Sequence, residues 1–262
     1  MHPDFVAAID ALYDAFASYE RPPWFLGCAC CFDGEEVVDD PFDVTAPDRV
    51  RVVPPGRAEP LRTIPATELE DFAFDVPVTG GDLALFKHYV PRLLEIACTT
   101  DAGPGPEIVL PHLNQCDRWT TWPTIEREAV DGLLPAWWRD VLSTPVDLDA
   151  RPADGRVDRT LCAIGLTVPE IGPFLAAWLA FAEPWSARHL RAFIACNPHA
   201  LTGRLDEVFW PGDHPEQRAN HDAIVEWLGA PATFDAVIAA IDHARTPDEA
   251  AALEECALRW LG

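Results

Sequence analysis

Proline punctuates this chain: 26 of its 262 residues, about double the usual ~5% share. A proline is tolerated in the first turn of a helix or between elements, and elsewhere it ends or kinks the helix. Between the prolines, apolar residues recur at helical spacing. Phe5, Ile9, Leu12, Phe16 and Tyr19 form one stripe over about 4–19, stopped by Pro22-Pro23. Further amphipathic segments fit about 105–116, 123–142, 156–166, 170–182, 185–196, 215–228, 233–244 and 247–261. Start signals accompany several of them. Thr67-Glu68-Leu69-Glu70 reads as a capping box, and Gly80-Gly81-Asp82 leads into a helix that Pro91 kinks or divides before Ala97. Thr246-Pro247-Asp248-Glu249 sets an N-cap, a first-turn proline and a capping glutamate in one run.

The predicted class is therefore all-α: a multi-helix bundle or an irregular stack of helical hairpins, with an irregular loop-rich segment over about 22–66. Within that segment Val50-Arg51-Val52-Val53 reads as a short strand or extended chain, with no second run of comparable strength to pair with it. A single helical domain over 1–262 is expected, with 200–214 as the place for a sub-boundary. No fixed-period self-similarity demands a solenoid.

Charge sets the next limits. With 19 Lys and Arg against 43 Asp and Glu, the net charge is −24. At 49% hydrophobic residues the chain is too apolar for a disordered acidic protein. Its negative field repels phosphate backbones, so no nucleic-acid partner is expected. The opening Met1-His2-Pro3-Asp4-Phe5 lacks the basic and apolar regions of a secretory signal. The most apolar stretch, Thr160 to Ala182, is broken by Pro169, Glu170 and Pro173, so no membrane span is expected. These features predict a cytoplasmic protein with reduced thiols. The acids gather partly in 33–43 and partly in helix first turns such as Glu68, Glu70, Asp248 and Glu249, where they complement the helix dipole.

Two stretches carry candidate chemistry. Gly27-Cys28-Ala29-Cys30-Cys31 places Cys28 and Cys31 at the two-residue spacing that brings two thiolates to one zinc ion, with small neighbours that permit a tight turn. His88, Cys98 and Cys116 are candidates for the remaining ligands, with Cys162 and Cys196 behind them. The candidate metal set is thus Cys28, Cys30, Cys31 and His88, with zinc as its cofactor. The same spacing serves thiol exchange, and the same cysteines equally suit a buried helix–loop junction as small apolar side chains. The second stretch is Phe86-Lys87-His88-Tyr89-Val90-Pro91-Arg92-Leu93-Leu94-Glu95. On a helix His88, Arg92 and Glu95 share one face, which could bind an anion or hold a proton-transfer histidine; the ordinary alternative is an ion pair between Arg92 and Glu95. Lys87 is the only lysine in the chain.

Together these stretches resemble a group of uncharacterised bacterial all-α proteins. That group pairs an N-terminal G-C-x-C-C cluster with an F-K-x-aromatic-aliphatic-P-R-x-L-E helix. The resemblance covers roughly residues 19–31 and 79–97, with looser similarity in the Trp-rich helices that follow. Ala29 stands where the group commonly has Pro or Thr, and Gly80-Gly81 where it has Trp-Gly. No activity is attached to the group, so the resemblance implies only that the two motifs belong to one architecture.

Trp119, Trp122, Trp137, Trp138, Trp178, Trp185 and Trp227 fall on or beside apolar helix faces, as core packing requires, though tryptophan also favours binding grooves. No phosphate-loop, dinucleotide-binding, zinc-protease or nucleophile-elbow motif occurs. Asp213-His214 and Asn220-His221-Asp222 read as polar turns. The expected function is a non-enzymatic protein-binding module with an acidic surface. Its partner would be a protein of basic character, met in the manner of an inhibitor, an immunity protein or a scaffold. The alternative is a zinc- or thiol-dependent protein centred on Cys28, Cys30 and Cys31.

Overall fold

The computed structural model describes all residues except 30–35, 39–48, 57–58, 76–79, 116, 147–154, 182–184, 206–214, 245 and 261–262. The described residues form eleven α-helices and a three-stranded antiparallel sheet. They fall into two compact units, Pro3–Leu133 and Leu134–Gly262, the second of which also takes in Met1–His2. The division lies inside one long helix, where the apolar pattern runs on without a break, and not at 200–214.

The N-terminal unit holds α1 (Pro3–Ala15), β1 (Phe25–Cys28), β2 (Glu36–Val38), β3 (Arg49–Val52), α2 (Glu70–Asp75), α3 (Leu83–Thr99), α4 (Pro106–His112) and the first half of α5 (Thr124–Ser143). The helical class holds, but the segment read as irregular contains regular structure. β3 is the middle strand, pairing with β1 from Phe25 opposite Val52 to Cys28 opposite Arg49, and with β2 from Glu36 opposite Arg51 to Val38 opposite Arg49. The outer strands span four and three residues, too few for an alternating pattern to register in sequence.

Two start signals behave differently. Asp82 caps α3 as expected, its carboxylate accepting from the Leu85 amide at 2.8 Å. Ahead of it Gly81 takes φ +78, and a side chain there would run into Leu85. Pro91 neither divides nor ends α3, which runs unbroken from Leu83 to Thr99. Thr67 is not an N-cap. Residues 66–68 close a single 3-10 turn instead, α2 begins at Glu70, and the Glu68 carboxylate reaches back to the Gly56 amide at 3.3 Å.

The sheet joins the helices through aromatic rings. Phe25 of β1 meets Phe72 of α2 edge-on, and Phe72 lies 4.4 Å from the Tyr89 ring of α3. Gly27 bridges to Gly80, and the Gly81 amide donates to the Leu26 carbonyl, which pins β1 beside the start of α3. Burial of Phe5, Ile9 and Leu12 on α1 and of Leu85, Phe86, Val90, Leu93 and Leu94 on α3 closes the core where these two helices pack.

The C-terminal unit contains the second half of α5, α6 (Arg156–Thr167), α7 (Gly172–Ala180), α8 (Trp185–Cys196), α9 (Pro215–Gly229), α10 (Pro231–Asp242) and α11 (Pro247–Leu258). Every one begins or ends within about two residues of its sequence-read boundary. Thr246 caps α11 by accepting from the Glu249 amide. Trp138, Trp178, Phe193 and Trp227 form the aromatic centre, with Trp138 and Trp178 edge-on at 5.3 Å. Asn220 lies inside α9, not in a turn, and is 3% exposed. Its amide nitrogen donates to the Gly165 and Val168 carbonyls and its oxygen accepts from the Ile171 amide, so one side chain satisfies the end of α6 and the start of α7. No single described helix is long and apolar enough to cross a membrane; α9 and α10 reach that apolarity only as a pair bent by 51°.

Candidate functional site

The side chains singled out on α3 lie in the N-terminal unit, and each of them is engaged, two with backbone and two with side chains of other segments. Lys87 and His88 both hold Tyr19, the residue four past the end of α1. His88 Nδ1 is 2.7 Å from the Tyr19 carbonyl oxygen. A carbonyl only accepts, so Nδ1 carries the proton and Nε2 presents its lone pair. Arg21 Nε faces that lone pair at 3.4 Å, while Arg21 Nη2 donates to the Glu59 carbonyl at 2.9 Å. Burial and the Arg21 charge both disfavour the imidazolium and outweigh the opposing Tyr19 hydrogen bond, which pushes the His88 pKa below its ordinary value. The neutral ring is therefore the resting form at neutral pH.

Lys87 turns the other way, into the core. It is 4% exposed, with Nζ 2.7 Å from the Glu126 carboxylate, 3.2 Å from the Tyr19 hydroxyl and 4.5 Å from the centre of the Trp122 ring. The Tyr19 hydroxyl in turn donates to Glu126 at 2.7 Å. The only lysine is thus half of a buried ion pair, roofed by an aromatic face that favours a cation. Its singularity in the sequence was the one available signal, and nothing in the spacing indicated Glu126 as its partner.

Arg92 and Glu95 are joined, and both also serve other segments. Arg92 donates twice to the Ile64 carbonyl, at 2.9 and 2.8 Å, and once to Glu95 at 2.7 Å. Glu95 also accepts from the Tyr13 hydroxyl at 2.6 Å and from Arg62 at 3.4 Å. Burial and the Glu95 charge push the Tyr13 pKa far above the usual phenol range, so that hydroxyl stays a donor. The shared face of His88, Arg92 and Glu95 exists as the spacing implied, but His88 is separated from the other two by function. Arg92 and Glu95 fasten α3 to α1 and to the 60–64 segment, whereas His88 borders an opening.

That opening is a cavity of about 380 Å³ lined by Arg21, Pro22, Pro23, Pro54 and His88. Tyr89 lies beside it. Its hydroxyl donates to the Pro55 carbonyl, its ring meets His88 edge-on at 4.8 Å, and the Arg21 guanidinium stands 6.0 Å from its centre.

Of the metal candidates, Cys28 ends strand β1 and is buried at 8% exposure, while Cys30, Cys31 and Cys116 lie outside the described residues. Both ring nitrogens of His88 are engaged, Nε2 by a cationic group. No group of three or more His, Cys, Asp or Glu among the described residues converges on a point where a metal ion could sit. Cys28, Cys98, Cys162, Cys196 and Cys256 form no disulfide. Burial pushes the Cys256 thiol up to about 12 and Cys98 well above its usual value, so neither offers a thiolate at neutral pH. Asp213-His214 and the acidic run 33–43 also fall largely outside the described residues.

A second surface emerges in the C-terminal unit. From Pro215 to Trp260 the described residues expose eight carboxylates against two guanidiniums, Arg218 and Arg259. On α10, Asp235, Ile238 and Asp242 follow at steps of three and four, and all three are exposed. On α11, Glu254 and Glu255 precede the exposed Leu258 by four and three residues. Ile238 is 41% and Leu258 64% exposed. No family model, no curated protein and no solved structure matches the chain.

Proposed function

We propose that this protein is a non-catalytic binding module that meets a basic protein partner through the exposed faces of α10 and α11. The observation that carries the reading is the arrangement on those helices: each exposes one large aliphatic side chain with carboxylates a turn away, on both sides of Ile238 and on the N-terminal side of Leu258. An apolar centre with a polar rim is how protein interfaces are built, and rim charge of one sign steers an oppositely charged partner. Among the described residues of this region the two exposed arginines barely offset the acids, and one of them, Arg259, pairs at 3.7 Å with Glu255 in a solvent-exposed contact of small energy. A basic toxin or nuclease held by an inhibitor of this kind is the class of partner that suits the face.

The test compares two variants with the native protein as baits in a cell extract, with captured proteins identified by mass spectrometry. The first neutralises the rim (Asp235→Asn, Asp242→Asn, Glu254→Gln, Glu255→Gln). The second truncates the centre (Ile238→Ala, Leu258→Ala). A captured basic protein should bind at least about tenfold more weakly to either variant and dissociate as salt rises. Undiminished capture by both variants would refute the reading. Near-stoichiometric zinc in the native protein, lost on Cys28→Ser with Cys31→Ser, would replace it with the metal-dependent alternative.

A further inference from the structure

We infer that the cavity beside His88 is a binding site for a small organic monocarboxylate, with Arg21 as the group that takes the carboxylate and Pro22, Pro23 and Pro54 as the walls that take its apolar body. The site is distinct from the α10–α11 face, and lies in the other unit.

Arg21 is unusual for its setting. The chain carries more than two acids for each base, yet no described carboxylate lies within ion-pair distance of Arg21, and none of the described residues lining the cavity is acidic. A guanidinium has five N–H donors. Two are used, Nε toward His88 Nε2 and one on Nη2 toward the Glu59 carbonyl. The donors left on the terminal nitrogens are those that form the paired, fork-like hydrogen bonds of arginine with a carboxylate.

The surroundings hold that fork in place before any ligand arrives. Nδ1 of His88 grips the Tyr19 carbonyl two residues before Arg21, and the Tyr89 hydroxyl grips Pro55 beside Pro54. Lys87 and Glu126 lock the Tyr19 hydroxyl from the core side. Three prolines have little backbone freedom left to lose, so the cost of ordering the walls is already met in the fold.

The chemistry also selects among anions. One guanidinium balances one negative charge, and His88 is neutral, so a phosphate dianion would lack a second cation. Proline rings offer no donors and present apolar surface, which suits a hydrocarbon body. A volume of about 380 Å³ admits a ligand of that kind. The described acids nearest the site in sequence, Glu20 and Glu59, are both exposed, so their opposition to an anion acts through water.

The experiment titrates the full chain with hexanoate, acetate, inorganic phosphate and hexylamine by calorimetry and by chemical-shift perturbation. Hexanoate should bind, acetate at least about fivefold more weakly, and phosphate and hexylamine not measurably. Arg21→Met should weaken hexanoate at least about tenfold with an unchanged urea midpoint. If Arg21→Met fails to fold, Arg21→Lys, which keeps the charge and loses the fork, should weaken hexanoate at least about threefold. Absence of hexanoate binding, binding that survives both substitutions, or tighter binding of phosphate or hexylamine would each overturn the assignment.

Discussion

On α3 the charged side chains point into the N-terminal unit, while on α10 and α11 most of them point away from the C-terminal one, Glu249 of α11 with its buried partner Arg188 of α8 being the exception. Lys87, Arg92 and Glu95 each have a named partner within the fold, at 2.6 to 2.7 Å in the closest cases. Asp235, Asp242 and Glu254 are exposed on their helices. The same residue types therefore do different physical work. A charge turned inward must be compensated, and its partners then fix where neighbouring segments lie. A charge turned outward contributes almost nothing to stability and is left to act on whatever approaches.

The sharpest way to break this contrast is at Lys87. Lys87→Ala strands the Glu126 carboxylate in the core, and the loss should be about 3–5 kcal/mol, read as a lowered urea midpoint. Lys87→Met with Glu126→Leu should recover most of that loss, because both charges leave together. A single Lys87→Ala variant as stable as the native protein would show that the pair is not compensating buried charge.

Asn220→Ala extends the comparison to the C-terminal unit, where a neutral side chain does inward work alongside the buried Arg188–Glu249 pair. Three buried backbone groups lose their partner, at an expected cost of about 2–4 kcal/mol by the same measurement. A loss below that of an exposed substitution would mean that the ends of α6 and α7 hold without it.

The smallest effect concerns acid. The folded-state pKa of His88 lies below the unfolded value because of burial and Arg21, and that of His112 lies below it because of burial. Well above pH 6.5 both states are neutral and neither histidine moves stability. As pH falls through the unfolded value toward the lowered folded value, the unfolded chain takes up protons first and stability declines. His88→Gln should flatten part of that decline below pH 6.5, leaving the His112 share. An unchanged slope would remove His88 from the acid response.

Much of the helical layout was legible because periodicity and caps are local. Thr246, Pro247 and Glu249 lie within one turn, so their geometry needs no distant partner. The candidate face on α3 was legible for the same reason: steps of three and four bring Arg92 beside Glu95 on any helix. What spacing could not show is what the rest of that face meets. Ile64, Tyr13 and Tyr19 come from segments separated from their partners by 28 to 82 residues. The sheet was missed on similar grounds, since β1 and β2 are short and pair with β3 across long stretches of chain. Thr67 shows the reverse case, a local start signal that does not cap a helix: residues 66–68 close a 3-10 turn and α2 begins at Glu70.

By itself the sequence determined that this chain is a set of short helices, because proline spacing and apolar stripes act within a few residues. It also determined a surface rich in carboxylates, because 43 acids outnumber any cations available to pair with them. Only the tertiary structure decided which charges are spent inside. Burial makes an unpaired charge costly, and a partner can be chosen only once segments far apart in the chain have met; hence the buried Lys87–Glu126 pair, the amide staple of Asn220 and the Arg21 fork left facing a cavity.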